Sequence, residues 1–268
     1  MSLPETAARP PSSPADVGNF SFEWLRHRRV QLDHDGSHES EATFRKKTGL
    51  TPEDVQGKRV LDAGCGTGRF ADVVSRWGGQ VVAVDLSRAV EAARENLAGR
   101  DNAAVVQADL FHLPFPEGSF DVIYSIGVLH HTPDCEQAFR GLIQYLAPGG
   151  IITVWLYEQD HGFWTKCSDL YRRITVHLPP RVLHALCYAA VPAYYFYRIP
   201  LLGRIFWTLL PMSRHPNPEW RVLDTFDWYS PRYQSKHTYP EVYRWFESEQ
   251  LTHIRVLDVP VALSGVKP

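Results

Sequence analysis

A glycine-rich turn at residues 64–68 limits the folds open to this chain more than any other feature of its 268 residues. The turn has the sequence Gly-Cys-Gly-Thr-Gly and follows an apolar stretch that ends at Asp62. Glycines let the backbone bend sharply and approach a ligand closely, because no Cβ intervenes. The amphipathic residues from Arg69 onward predict a helix, whose N-terminus favours anionic groups. The GxGxG spacing differs from the GxGxxG of dinucleotide sites, and no P-loop GK[ST] is present.

A second acidic residue, Asp85, ends the next apolar stretch, residues 80–87, and lies 23 residues after Asp62. The stretch predicts a β-strand. An acid at the tip of this strand, about 20 residues beyond the first, is the usual hydrogen-bond partner of ribose hydroxyls. Ser87 then predicts the N-cap of a helix that Gly99 closes.

Further apolar stretches continue the alternation of strands and helices. Residues 103–108, 120–125 and 151–156 predict the third to fifth strands, and residues 135–146 predict a helix before the fifth. Alternation at this spacing implies a parallel sheet with helices on both faces.

Together these elements resemble the class I S-adenosylmethionine (SAM) methyltransferases, in their small-molecule, UbiE/UbiG-like branch. The resemblance covers residues 59–157 and includes the Leu-His-His segment at 129–131 and the Leu-Ala-Pro-Gly-Gly turn at 146–150. It implies an α/β, Rossmann-like fold with a mostly parallel seven-stranded sheet, and SAM as the cofactor. A helical cap before the sheet and a large helical lid inserted after the fifth strand would complete the fold.

The resemblance also implies which residues hold SAM. The glycine turn would hold its amino-acid end, Asp85 its ribose, and Asp109 with the Leu110 amide its adenine. The predicted cofactor contacts are Asp62, Gly64, Cys65, Gly66, Asp85, Leu86, Asp109, Leu110, Ser125 and Ile126.

Candidate bases follow the fourth and fifth strands, because ligands of an open α/β sheet lie beyond the carboxyl ends of its strands. Histidine suits proton transfer near neutral pH, and a carboxylate suits it where burial raises its pKa. In the resembled family, however, one histidine of the Leu-His-His pair often only supports the loop. The predicted catalytic residues are His131, Glu158 and His130, with Tyr157, Asp160 and His161 beside them.

Several classes of site are disfavoured. Four scattered cysteines without a CxxC pair predict neither a zinc site nor a disulfide framework, and they favour a reduced, cytoplasmic setting. A net charge of −2 gives no general case for nucleic-acid binding. Residues 125–128 lack the Asn/Asp-Pro-Pro-aromatic motif typical of DNA and protein-amide methyltransferases, and no carboxylate cluster for a metal-dependent catechol methyltransferase is evident near the fourth strand.

We expect five parts. Helices near residues 21–32 and 39–48 predict a cap that buries its aromatic residues on the sheet. A second interpretation, compatible with the first, is that this cap closes over SAM with an arginine or tryptophan near the cofactor. Thr238 and Glu241 have the spacing of a capping box, and two strands follow. The predicted parts are a disordered tail (1–16), the N-terminal helical cap (17–58), the SAM-binding core (59–158), the lid (159–235) and the end of the core (236–268).

The lid contains an unusual segment, residues 170–218, with six arginines and no aspartate or glutamate. Its uncharged run, residues 182–197, is short for a membrane span. Three interpretations remain open: a structural cap on the sheet or on a second copy of the chain, a segment lying on an anionic membrane, or a pocket for a lipophilic, anionic substrate lined by Tyr194, Phe196 and Trp207. Residues 224–231 predict an aromatic loop that returns to the active site.

The sequence therefore predicts a SAM-dependent methyltransferase acting on a small, lipophilic acceptor such as a lipid, isoprenoid, quinone or natural product. The alternative is a methyltransferase-fold, membrane-associated binding or scaffold protein without turnover. The intact acids and glycines of the SAM site favour the enzyme. Peripheral membrane contact through residues 170–218 and a homodimer are left open, and no nucleic-acid partner is expected.

Overall fold

The computed structural model describes residues 14–28, 30, 32–33, 38–160 and 162–268. Within them, seven strands form one sheet at the centre of the molecule. The strands are β1 (Arg59–Ala63), β2 (Gln80–Asp85), β3 (Ala103–Gln107), β4 (Phe120–Ile126), β5 (Leu146–Trp155), β6 (Thr252–Val256) and β7 (Ala262–Val266).

The sheet has the order β3-β2-β1-β4-β5-β7-β6. Strands β1 to β5 pair in parallel, whereas β7 runs antiparallel to both β5 and β6. The predicted α/β fold with a mostly parallel seven-stranded sheet is confirmed. Because the order reverses on either side of β1, the carboxyl ends of β1 and β4 border a crevice in which ligands of such sheets bind.

Both faces of the sheet are covered, which explains why its strands are apolar on consecutive residues. Val60 and Leu61 point to opposite faces of β1 and belong to two separate hydrophobic clusters, and both are fully buried. The helices that frame the core are α1 (Pro14–Arg26), α2 (Glu39–Thr48), α3 (Pro52–Val55), α4 (Arg69–Arg76), α5 (Ala89–Asn96), α6 (Cys135–Ile143) and α12 (Tyr239–Ser248).

Five further helices separate β5 from α12, and we call them the helical insert. Helix α11, the last of them, contacts α1, α7, α8 and α9, and α10 packs against α7 and α9. The insert consists of α7 (Phe163–Thr175), α8 (Pro180–Cys187), α9 (Ala190–Phe196), α10 (Leu202–Leu209) and α11 (Pro218–Tyr229). None of the helices formed by the described residues has the length and apolar character needed to cross a bilayer.

Several helix boundaries differ from those predicted. The first helix begins at Pro14 and not near residue 21, so the last three residues of the predicted tail are helical, whereas residues 1–13 lie outside the described part of the chain. Proline suits the start of a helix because its missing N–H has no partner there in any case. Residues 224–229, predicted as a loop, form the end of α11, where Asn217 caps a helix that starts with Pro218.

Two predicted caps have different outcomes. The capping box of Thr238 and Glu241 is confirmed. Ser87 is not the N-cap of α5, because that helix begins at Ala89 with Arg88 in the cap position. The Ser87 hydroxyl instead donates a hydrogen bond of 2.7 Å to the Asp85 carboxylate, which draws it toward the site described next.

Candidate active site

The glycine turn is fixed to the end of β2 by its own backbone. The amides of Gly64 and Cys65 both donate to the carbonyl of Val84, each at 2.8 Å. Gly64 has a φ of 97°, and a Cβ there would overlap the Val128 side chain. No other residue fits this position, because both the conformation and the space exclude a side chain. The turn therefore presents bare backbone at the carboxyl edge of the sheet.

Asp85 closes the other side of the turn. Its carboxylate accepts hydrogen bonds from the Gly66 amide at 2.9 Å and from the Ser87 amide at 2.8 Å. Burial raises the pKa of Asp85, and these hydrogen bonds oppose the rise because they stabilise the charged form. The acid is thus held at a fixed place beside the glycines.

A cavity of about 450 Å³ opens beyond the carboxyl ends of strands β1 to β5. This volume is typical of small-molecule sites, which span about 300–1,000 Å³. The structure brings most of the predicted cofactor contacts together in its wall. These are Gly64, Cys65, Gly66, Asp85, Leu86, Asp109, Leu110 and Ile126.

The other two predicted contacts, Asp62 and Ser125, lie behind the wall. Asp62 is buried next to the Tyr124 hydroxyl and the Ala71 amide, and burial, helped by the charge of Asp85, raises its pKa to about 8. The Ser125 hydroxyl donates to the carbonyl of Ala63 at 2.8 Å. Both residues lie beneath the loop, and neither lines the cavity.

The residues of this half of the cavity fit SAM. A Cβ on Gly66 would lie 3.6 Å from the Trp24 ring, so this glycine faces the cavity under the cover of α1. Asp85 offers a carboxylate beside the loop, and Asp109, Leu110 and Phe111 line the wall after β3. The bare backbone of the glycine turn suits the amino-acid end of SAM, the Asp85 carboxylate suits the ribose hydroxyls, and the wall after β3 suits the adenine ring.

The other half of the cavity is aromatic. Helix α1 covers it from above, the end of β5 forms its floor, and α11 of the helical insert forms its side. The aromatic residues that line it are Phe20, Trp24, Trp155, Tyr157, Trp220 and Trp228.

Charged groups stand among these rings. The Lys47 ammonium lies 3.3 Å from the centre of the Trp155 ring, and burial, with a contribution from Arg69, lowers its pKa to about 7. Asp224 accepts a hydrogen bond from the Ser213 hydroxyl at 2.9 Å, and burial raises its pKa to about 6. Groups whose pKa values are shifted toward neutrality by burial are typical of functional sites.

A hydrogen bond joins the floor of the cavity to α11. The Tyr157 hydroxyl donates to the Asp227 carboxylate at 3.0 Å, and both residues line the cavity. Burial, together with the charge of Asp227, raises the pKa of Tyr157 well above its usual range. Tyr157 therefore stays protonated and orients the carboxylate.

His131 lines the cavity where the aromatic half meets the glycine loop. Its Nδ1 lies 2.9 Å from the carbonyl oxygen of Tyr233. Because a carbonyl only accepts hydrogen bonds, Nδ1 carries the proton and Nε2 keeps its lone pair. The Phe20 ring, 5.4 Å from the imidazole, covers it from the side of α1. In this tautomer Nε2 is the basic ring nitrogen, and it is buried within the wall of the cavity.

Part of this chain is similar to known methyltransferases. Residues 61–154 match the family model described as a methyltransferase domain. The chain carries a SAM-dependent methyltransferase domain. The matched residues run from β1 through β5, so they include the glycine turn, Asp85 and the histidine pair.

Curated relatives of the methyltransferase domain act in several chemistries. UbiE of Pectobacterium carotovorum, a ubiquinone/menaquinone biosynthesis C-methyltransferase, is 32% identical over 138 residues, 49% of this chain and 54% of that protein. The O-methyltransferase cnsE of Penicillium expansum is 32% identical over 145 residues, 51% of each chain. The sterol 24-C-methyltransferase ERG6B of Gibberella zeae is 34% identical over 117 residues, 39% of this chain and 30% of that protein.

These matches are partial. The chain spans between 28% and 54% of the length of the curated relatives. A solved SAM-dependent methyltransferase from Mesorhizobium loti is 33% identical over 45% of this chain and 53% of that chain, with a TM-score of 0.38. The fold assignment therefore depends on the strand order of this chain and not on that superposition.

The other two predicted catalytic residues, His130 and Glu158, do not line the cavity. His130 is fully buried and stacks on the Tyr157 ring at 3.9 Å, and burial lowers its pKa well below the usual value. Glu158 is exposed and joins the backbone of His237 in an isolated bridge.

Of the other candidate residues that follow β5, Asp160 does not line the cavity either. The Asp160 carboxylate accepts from the Gly162 amide at 2.8 Å and from the Trp164 indole at 2.6 Å, which starts α7. His161 lies outside the described residues. Tyr157, named only as a neighbour in the sequence, is the one described residue of this group that lines the cavity.

None of the residues predicted to line a substrate pocket in the lid, Tyr194, Phe196 and Trp207, lines this cavity. Phe196 is exposed, and Trp207 stacks on Trp164 at 5.4 Å while its indole donates to the Met212 carbonyl. The aromatic residues that do line the cavity come from α1 and α11. Trp24 meets the expectation of a tryptophan in the cap near the cofactor loop, but no local pattern marked Lys47 or Asp227 as cavity residues.

Proposed function

We propose that this protein transfers the methyl group of SAM to a small, lipophilic acceptor. The observation that carries the proposal is the continuity of the cavity, which joins the bare glycine loop and Asp85 to a wall of tryptophans and phenylalanine. Burial of an apolar acceptor against such rings is favourable, since aromatic side chains offer large apolar areas. Relatives named as sterol and quinone methyltransferases support the same class of acceptor.

The tasks of the protein are positioning and exclusion of water, because SAM supplies a methyl group already activated on a sulfonium. The glycine loop and Asp85 would hold the cofactor at the carboxyl edge of the sheet. Helix α1 lies over it with Phe20 and Trp24, and Trp228 of α11 closes the side. The acceptor would then lie in the aromatic half, in line with the methyl group.

His131 would take the proton that an O–H or N–H acceptor loses. SAM would supply the methyl group from its sulfonium, the O–H or N–H bond of the acceptor would break, and its proton would pass to the imidazole of His131. The carbonyl of Tyr233 stabilises the resulting imidazolium, since it already accepts from Nδ1. Asp227, held by Tyr157, would orient the polar group of the acceptor.

Methyl transfer from isotope-labelled SAM tests this function. The full chain is incubated with prenylated quinols, sterols and fatty acids, and with hydrophilic amines and catechols as the contrast. The expected result is label in the organic extract with at least one lipophilic acceptor. Label confined to the hydrophilic acceptors would contradict the proposed acceptor class. Binding of SAM without any transfer would favour a binding protein with the methyltransferase fold.

A further inference from the structure

The outer helices of the insert carry almost all of the exposed large apolar side chains. Of the 17 such residues in the described part of the chain, 15 lie between Phe163 and Leu210, in and around α7 to α10. Exposure reaches 67% for Ile174, 68% for Tyr195 and 80% for Leu201. We call these 15 residues the apolar face. Large contiguous apolar patches on a protein surface mark binding sites, whereas single exposed residues need no explanation.

The apolar face is not the outer side of a packed core. In α9 the only buried residue is Ala190, and in α10 it is Gly203. Gly203 lets the two helices meet closely, because a Cβ there would overlap the Tyr197 carbonyl. Helices α9 and α10 therefore pack closely against each other, yet most of their leucine, isoleucine and aromatic side chains are exposed. A helix with this composition requires an apolar partner.

Arginines are distributed across this face. Four exposed arginines are each followed directly by an exposed aliphatic residue, in the pairs Arg173–Ile174, Arg181–Val182, Arg198–Ile199 and Arg204–Ile205. Among the described residues none of these arginines forms an ion pair, whereas Arg172 of the same segment is buried and donates to the carbonyls of Trp228 and Pro231. The four arginines are thus available to an anionic partner.

We propose that α7 to α10 form a docking surface for an anionic lipid bilayer. The aliphatic and aromatic side chains would enter the boundary between headgroups and acyl chains, and the arginines would meet the lipid phosphates. Long arginine stems suit this arrangement, since they bury their methylenes while the guanidinium stays at the headgroups. The helices are too short to span, so the contact is interfacial.

The charge pattern favours a bilayer over a second copy of the chain. The one carboxylate in α7 to α10 is Asp169, which pairs with Lys236 outside the insert, so two apolar faces brought together would oppose arginine to arginine. Anionic lipids supply the missing negative charge, since basic residues near a bilayer are attracted to its surface potential.

The docking surface also lies behind the wall of the cavity. Helix α11 turns Val222, Phe226 and Tyr229 toward the outer helices and Trp228 toward the cavity. A bilayer contact there would bring a lipid-dissolved acceptor close to the active site. This consequence rests on the proposed function, whereas the docking itself does not.

Vesicle co-sedimentation with the full chain tests the docking directly. The vesicles contain phosphatidylcholine alone or with about a quarter of phosphatidylglycerol, at low salt and at about 0.5 M NaCl, where charges are screened over a few ångströms. We expect binding to the anionic vesicles, weakened by salt. No binding to anionic vesicles would overturn the proposal, as would equal binding to both kinds of vesicle at both salt concentrations.

A matched pair of variants locates the contact. Arg181→Glu/Val182→Ser changes an Arg–Val pair on α8, and Arg255→Glu/Val256→Ser changes an equally exposed Arg–Val pair on β6. The α8 variant is expected to lose at least ~10-fold in vesicle affinity, and the β6 variant to bind like the wild type. Equal loss in both, or in neither, would contradict the assignment. A wild-type dimer that the α8 variant dissociates, without vesicle binding, would assign the face to a second copy instead.

Vesicle binding requires no SAM and no turnover, so its outcome is independent of the methyl-transfer assay. Circular dichroism of each variant confirms that the fold is retained, which we expect because the substituted side chains are exposed.

Discussion

The sheet core and the helical insert use apolar residues in opposite ways. In the core, Leu61 and Ile123 are fully buried, and the strands are apolar because helices cover both faces of the sheet. In the insert, α10 is equally apolar, yet its only buried residue is Gly203. Apolar sequence therefore predicts burial in the first region and an external partner in the second. The cavity lies where the two regions meet, with His131 from the core and Asp227 from the insert.

The largest expected effect is on turnover, at His131 in the cavity between the core and the insert. His131→Ala should lower turnover by about 10²–10⁴-fold if its imidazole is the general base, without changing SAM affinity. Glu158→Gln serves as the control and should leave turnover unchanged, because Glu158 is exposed and outside the cavity. Turnover is measured with labelled SAM at saturating acceptor. A loss in the Glu158 variant but not in the His131 variant would reverse our assignment.

The same substitution in the two regions measures their difference in packing. Ile123→Ala on β4 removes a fully buried side chain and should cost about 2–5 kcal/mol in the free energy of unfolding. Ile205→Ala on α10 removes one that is 52% exposed and should change that free energy by no more than about 0.5 kcal/mol. Denaturant unfolding gives both values. A comparable cost at both sites would mean that the outer helices are packed more tightly than the structure shows.

The core could be predicted because its signals are local. The glycine turn, Asp85 and the strand ends lie within short stretches whose residue types each have a physical reason, and the sheet brings such stretches to one edge. The aromatic half could not be predicted in the same way. Lys47 comes from a helix before the sheet and Asp227 from a helix about 70 residues after β5, and only tertiary packing brings them together.

Burial also separated candidates that the sequence could not rank. His130 and His131 are adjacent and chemically identical, yet one is fully buried against Tyr157 and the other lines the cavity. The one-residue difference in a short 3₁₀ turn, Leu129–His131, decides which imidazole lines the cavity. Likewise α1 starts at Pro14, in a segment whose Pro, Ala and Ser content predicted a tail.

A smaller effect is expected at Glu23, on the side of α1 that contacts the insert. Its side chain is fully buried, and neither carboxylate oxygen has a hydrogen-bond partner among the described residues. Burial, with the charges of Asp227 and Asp224, raises its pKa well above 4.5. The folded protein therefore holds a proton that the unfolded chain releases above pH 4.5, so this residue lowers stability as pH rises toward its folded pKa.

Glu23→Gln removes that dependence. Its melting temperature relative to the wild type should be higher at pH 8 than at pH 5, and thermal unfolding at the two values measures the difference. Glu247→Gln on the exposed face of α12 is the matched control and should show no such trend. A difference for Glu23→Gln that is independent of pH would show that this carboxyl is ionised in the fold.

Calorimetric titration with SAM tests most directly whether the glycine loop and Asp85 form a SAM site. We expect the wild type to bind one SAM, Asp85→Ala to bind it more weakly by about 1–3 kcal/mol because a hydroxyl pair loses its acceptor, and the exposed-site control Asp101→Ala to bind like the wild type. Failure of the wild type to bind SAM, or equal affinity in the Asp85 variant, would contradict the account.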